Sequence, residues 1–229
     1  MANISVSVSG CEMAADLWKP KKVPAPGIVL LQEIFGVNDF VRWIGGRLAD
    51  EGFVVIAPDL FHRMEPGVDL GYDDESRKKA LSYYSQLDQK LAQDDSEAAV
   101  KALSNLPYCN GRVAAVGFCL GGKIVLNAAA RSKIDAGVAF YPVEVLTYHE
   151  NLKDIRCPVQ IHIGSEDSHS TSEARSLLQA AMREIEFGEY HLHEGGQHGF
   201  FNPVRDTAYH PEATAEAYSD LVRFLRDNL

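Results

Sequence analysis

The stretch from Gly117 to Lys123 reads GFCLGGK, and its residue types allow two chemistries that exclude each other. The spacing of Gly117, Gly122 and Lys123 is that of a loop whose backbone N–H groups cradle phosphate. The spacing of Gly117, Cys119 and Gly121 is that of a nucleophile elbow. There a strand turns into a helix so sharply that the positions two before and two after the nucleophile have no room for a side chain. The phosphate reading needs a hydroxyl after the lysine to hold Mg²⁺, and Ile124 stands there. It also belongs after the first strand of a nucleotide-binding core, whereas strand-like runs already precede this one. The elbow finds what it needs: RVAAVGF before the turn is strand-like, and LGGKIVLNAAA after it is helix-like. The start of that helix aims N–H groups and a positive dipole end at the thiol, a setting that favours a thiolate. A buried cysteine in a glycine-rich turn is the competing reading until partners are found.

Partners are present in the order that an elbow requires: nucleophile, acid, histidine. After the strand-like PVQIHIG comes SEDSHS, which puts Glu166 and Asp167 in a loop. After GEYHLHE comes GGQHGFF, which puts His198 in a glycine-rich loop. Cys119, Asp167 and His198 thus each follow a predicted strand, as nucleophile, orienting acid and base. Glu166 is the alternative acid and His169 the alternative base. His191 and His193 share one strand face without a third metal ligand, and His162 reads as a core histidine.

The elements that must position these groups are legible as alternation. Runs at 27–33, 53–59, 112–118, 136–142 and 158–164 are short and apolar on both faces, as central parallel strands are. The run at 188–194 is more polar and suits an edge strand, and 4–10 alternates like an antiparallel edge. Helical patterns cover 38–50, 74–92, 94–106, 120–131, 171–184 and 211–227, with Asn38, Asp73 and Thr171 as caps. The last begins with a proline and ends with arginines, the order a helix dipole favours. Strands alternating with helices imply an α/β protein with a mostly parallel central sheet and helices on both faces. Ligands then gather beyond the carboxyl ends of the strands.

At 229 residues and 46% hydrophobic, the chain is expected to form a single domain, 1–229, with a substantial core. A net charge of −10 argues against nucleic acid or an anionic membrane as partner. The first residues lack the basic and apolar runs of a signal peptide, and no apolar run spans a bilayer. Cys11, Cys109 and Cys157 form no CxxC pair and are expected to be buried free thiols in a reducing cytoplasm. No metal or organic cofactor is implied, and the expected partner is a small-molecule substrate. The protein is expected to be a monomer or a small homo-oligomer.

At this point the chain resembles the dienelactone hydrolase (carboxymethylenebutenolidase) family, α/β-hydrolases with a cysteine nucleophile. The resemblance runs over roughly residues 9–229 through LLQEIFGVN, APDLF, VGFCLGGK, GSED and GGQHGFFNP. It implies an α/β-hydrolase fold, with Cys119 as nucleophile, His198 as base and Asp167 as acid. It also implies an oxyanion hole from the N–H groups of Ile34 and Leu120, and a role for Glu33 beside the resting thiol. Two buried anions repel, so a glutamate there would make thiolate formation conditional on substrate.

The substrate site is where the chain departs from the family. Of the two arginines that grip a carboxylate there, the first matches Arg77. Asn202 stands where the second belongs, so a bidentate ion pair is lost. Leu81 replaces a tyrosine and Tyr84 a tryptophan, and Arg205 could restore the charge if its loop bends back. The expected activity is hydrolysis of a small lactone or carboxylic ester through an acyl-enzyme. The alternatives are a hydrolase of neutral esters or thioesters, and a non-catalytic ligand-binding protein of the same fold.

Overall fold

The structure, a computed structural model, describes residues 2–229 and divides into two compact units, one running to Ala114 and the other spanning Ala115–Leu229. In the first, a hairpin of β1 (Ala2–Val8) and β2 (Cys11–Trp18) pairs antiparallel with β4 (Val54–Pro58), which lies parallel to β3 (Ala25–Leu31). Helix α1 (Asp39–Asp50) starts where the Asn38 side chain accepts from the Val41 N–H, and it buries Phe40, Val41, Ile44 and Leu48 as one stripe. Helices α2 (Asp74–Gln86) and α3 (Gln89–Ser104) follow, with α3 packed on β3 and β1.

Strand β5 (Cys109–Phe118) runs through the division between the units. The second unit continues with α4 (Leu120–Ala130), β6 (Ala136–Phe140), β7 (Val159–Gly164), α5 (Ser172–Glu184), β8 (Gly188–His193) and α6 (Pro211–Asn228). Strands β6, β7 and β8 are parallel, and β6 and β7 are buried along their whole length. That burial is the reason their sequences lack polar alternation. Around Phe118 and Phe140 the core is aromatic: their rings stack 4.7 Å apart, and Phe201 meets both, at 5.5 and 4.6 Å. No helix among the described residues is long and apolar enough to cross a membrane.

Three expectations differ from what is found. Strand β2 had no counterpart in the sequence reading, although Met13, Ala15 and Leu17 face inward with period two. Its alanines and acids are poor strand formers, and pairing on both sides overrides that. The pattern read as one helix over 74–92 breaks at Leu87, because Asp88 turns its carboxylate onto the N–H groups of Lys90 and Leu91 and starts a new helix. Of the three cysteines expected to be buried, only Cys109 is; Cys157 is half-buried and Cys11 is exposed. Burial pushes the Cys157 thiol up to about 11, so it stays protonated and unreactive.

Candidate active site

Cys119 sits between β5 and α4 at φ 54, ψ −111, a backbone conformation that L-residues rarely adopt. Its N–H donates to the Phe140 carbonyl at 3.0 Å, which pins the turn to the end of β6. A Cβ on Gly117 would lie 2.3 Å from the Gly121 carbonyl, so the glycine spacing in GFCLG is a packing requirement. The residue is 8% exposed, and α4 begins directly after it, with N–H groups that find no partner within the helix.

Asp167 and His198 follow β7 and β8. His198 Nδ1 lies 2.9 and 3.1 Å from the two carboxylate oxygens of Asp167. Both side chains are buried, at 1% and 9% exposure. Burial alone would raise the Asp167 carboxyl. Hydrogen bonds from His169 and His198 overcome it and hold the group well below the usual carboxylate range. An ionised carboxylate only accepts, so Nδ1 carries the proton and Nε2 is left bare to act as a base. Glu166 is exposed, and its backbone N–H donates to Gly196, so the acid of the pair is Asp167. His169 donates its own N–H to Asp167 at 2.8 Å and keeps its ring half-exposed.

The loops carrying the acid and the base are tied to each other by three bonds. Ser165 N–H donates to His193 O and Glu166 N–H to Gly196 O, each at 2.9 Å, and Gly195 N–H donates to Ser165 Oγ at 2.9 Å. They touch so closely that a Cβ on Gly164 would stand 2.0 Å from the Gly196 oxygen. Gly164→Ala is therefore expected to lower stability by about 3 kcal/mol or more and to weaken hydrolysis with it, read from urea melts and initial rates. Tyr141, which no motif singles out, is held at φ 36 and sets its ring edge-on to His198 with centroids 4.9 Å apart. Arg205 Nη1 donates to the His198 carbonyl at 3.1 Å.

Asn202 is fully buried, and its side-chain oxygen accepts from the Val204 N–H at 2.9 Å. Four other site candidates lie in the first unit. Glu33 is buried and accepts from the Tyr72 hydroxyl at 2.8 Å, and that oxygen also accepts from Asn38 Nδ2 at 3.1 Å. Neither Tyr72 nor the second role of Asn38 was legible beforehand. Ile34 is half-buried just past β3, Arg77 is exposed on α2, and Tyr84 is half-buried one helix turn from the exposed Leu81.

The ligand atoms of Asp167, His169 and His198 fall within 4.8 Å of one another, near enough for a cation. Both oxygens of Asp167 already serve His198, which favours the acid–base pair over a metal. His162 is a core histidine, as expected: fully buried, with Nδ1 2.9 Å from His193 Nε2 and Nε2 2.8 Å from Gln160 Oε1. Burial, and then the charges of His191, His193 and Arg223, hold His162 well below its ordinary value, and burial lowers His193 as well. A depressed histidine stabilises the fold fully above the unfolded-state value of about 6.5, and that stability is lost as pH falls below it. Asp167, also depressed, adds a second loss below about pH 4. Stability from urea melts should therefore fall in two stages on acidification, each by up to about 1.4 kcal/mol per pH unit per proton. His162→Gln should flatten only the first.

Comparison with known proteins shows the family and the fold. The profile of the dienelactone hydrolase family matches residues 13–229. A carboxymethylenebutenolidase of Pseudomonas putida is 32% identical over 220 residues, covering 96% of this chain and 93% of its own. Carboxymethylenebutenolidase 1 of Cupriavidus pinatubonensis is 37% identical over 174 residues, covering 76% and 74%. Among solved structures, a dienelactone hydrolase-like promiscuous phosphotriesterase from metagenomic libraries matches with a TM-score of 0.84 at 22% identity, covering 99% of this chain and 97% of its own. That likeness shows the α/β-hydrolase fold.

Proposed function

This chain belongs to the dienelactone hydrolase family and is a carboxylic ester hydrolase, and from that premise we propose that it opens a small lactone or ester through a Cys119–His198–Asp167 triad and an acyl-enzyme. The observation that carries the proposal is the Asp167–His198 pair, whose geometry leaves Nε2 of a buried imidazole free to take a proton. Cys119 Sγ attacks the carbonyl carbon as His198 receives the thiol proton. The leaving alkoxide takes that proton back, and a water, deprotonated by the same nitrogen, then releases the acid and restores the thiol. The Leu120 N–H, at the start of α4, serves the developing oxyanion, and such a donor is typically worth about 3–4 kcal/mol. Glu33, Ile34, Arg77, Tyr84 and Asn202 enter the proposal only in the roles that the family implies. The names of the curated relatives favour a dienelactone-like substrate. Four free cysteines suit a reducing cytoplasm.

Mixing the protein with a nitrophenyl ester tests the reading. A burst of nitrophenol, then steady turnover, with the acyl group recovered on the Cys119 peptide, is the expected result. A single slow acylation without turnover would instead identify a ligand-binding protein.

A further inference from the structure

The first unit holds a meeting of sulfur, imidazole and carboxylate, far in sequence from the elbow. Cys11 opens β2 and is exposed. His62 Nδ1 lies 3.9 Å from its sulfur, and Arg63 Nη1 approaches the same sulfur at 3.5 Å. The His62 side chain is only 5% exposed, and its Nε2 stands 2.9 Å from Asp95 Oδ2. Asp95 is itself gripped by Arg63 through two bonds of 2.8 and 2.7 Å. Burial would raise that carboxyl, but Arg63 and His62 hold it below its ordinary value, so it accepts only. The His62 proton therefore resides on Nε2, and a bare Nδ1 faces the thiol. A base of fixed tautomer and a cation converge on one solvent-facing sulfur. This is the environment in which a thiol becomes reactive.

The chemistry served here differs from that at Cys119. Cys11 begins a strand, so no helix start offers N–H groups to a carbonyl oxyanion. Attack on a disulfide develops charge on sulfur alone, which the imidazole and guanidinium can meet. We propose that Cys11 is a modification site for low-molecular-weight disulfides, above all those bearing carboxylates that Arg63 can attract. The Cys11 proton passes to His62 Nδ1, and the thiolate attacks one sulfur of the disulfide RSSR. A Cys11–S–S–R bond forms as the S–S bond of the reagent breaks. The departing RS⁻ takes the proton from His62 and leaves as RSH, so the reagent disulfide is itself the oxidant and one of its sulfurs is reduced as Cys11 is oxidised.

Full-length protein at pH 7, treated with excess glutathione disulfide and acid-quenched, can be mapped by peptide mass spectrometry over time. Cys11 is expected to form the mixed disulfide about tenfold faster than Cys157, and about tenfold faster than in His62→Ala. Arg63→Gln, a change at the surface, should slow the reaction about threefold and erase a preference for glutathione disulfide over the cationic cystamine. Circular dichroism establishes that each variant is folded. If His62→Ala fails to fold, Arg63→Gln decides. Reaction of Cys11 no faster than Cys157, or a rate and preference unchanged in folded Arg63→Gln, overturns the proposal.

Discussion

Cys119→Ala is expected to lower ester hydrolysis by about 10⁵–10⁶-fold, to near background, while the fold is kept. The substitution removes the sulfur and leaves the Cβ, so the φ 54 turn and the bond from residue 119 to the Phe140 carbonyl persist. What remains is the positioning by the start of α4 and the bare imidazole, which cannot form an acyl-enzyme. Stability should change by no more than about 1 kcal/mol, since a single small group is removed. The measurement is kcat on a nitrophenyl ester beside a urea melt. Activity within tenfold of the parent would place the nucleophile elsewhere.

Asp167→Asn should lower kcat by about 10³–10⁴-fold with little change in the backbone, for a reason of tautomers. The carboxylate accepts from His198 Nδ1 through both oxygens and from the His169 N–H. An amide that keeps its oxygen at the Oδ1 position, where it accepts from the His169 N–H, puts its NH₂ at the Oδ2 position, 2.9 Å from Nδ1. If its NH₂ faces the imidazole, the ring proton moves to Nε2 and the base is lost. The same variant should lack the acid-stage loss of stability assigned to Asp167, because no group of depressed pKa is left there. A kcat loss under tenfold would mean that another carboxylate orients the histidine.

Much of this was legible because the demands are local. The Gly117–Cys119–Gly121 spacing follows from steric exclusion at one turn, and the helix caps at Asn38, Asp73 and Thr171 act within three residues of themselves. The order of Cys119, Asp167 and His198 is a property of chain direction, and so survives in the sequence. What escaped depends on remote partners. Strand β2 is stabilised by β1 and β4 against its own weak propensity. The tyrosine that meets Glu33 lies 39 positions away. The bonds from Ser165 and Glu166 to the histidine loop are mostly backbone, which carries no residue signature. The exposure of Cys11 depends on where a hairpin ends, and a cysteine's type says only that burial is common.

Apart from the Asp167–His198 pair itself, the ties between the loops after β7 and β8 run through main-chain atoms and one hydroxyl, so the exposed side chains on those loops take no part in them. Glu166, Ser168, Glu194 and Gln197 can drift or be randomised freely, and a library built at those four sites should stay largely active. Those four positions can thus change in evolution while Asp167 and His198 stay paired.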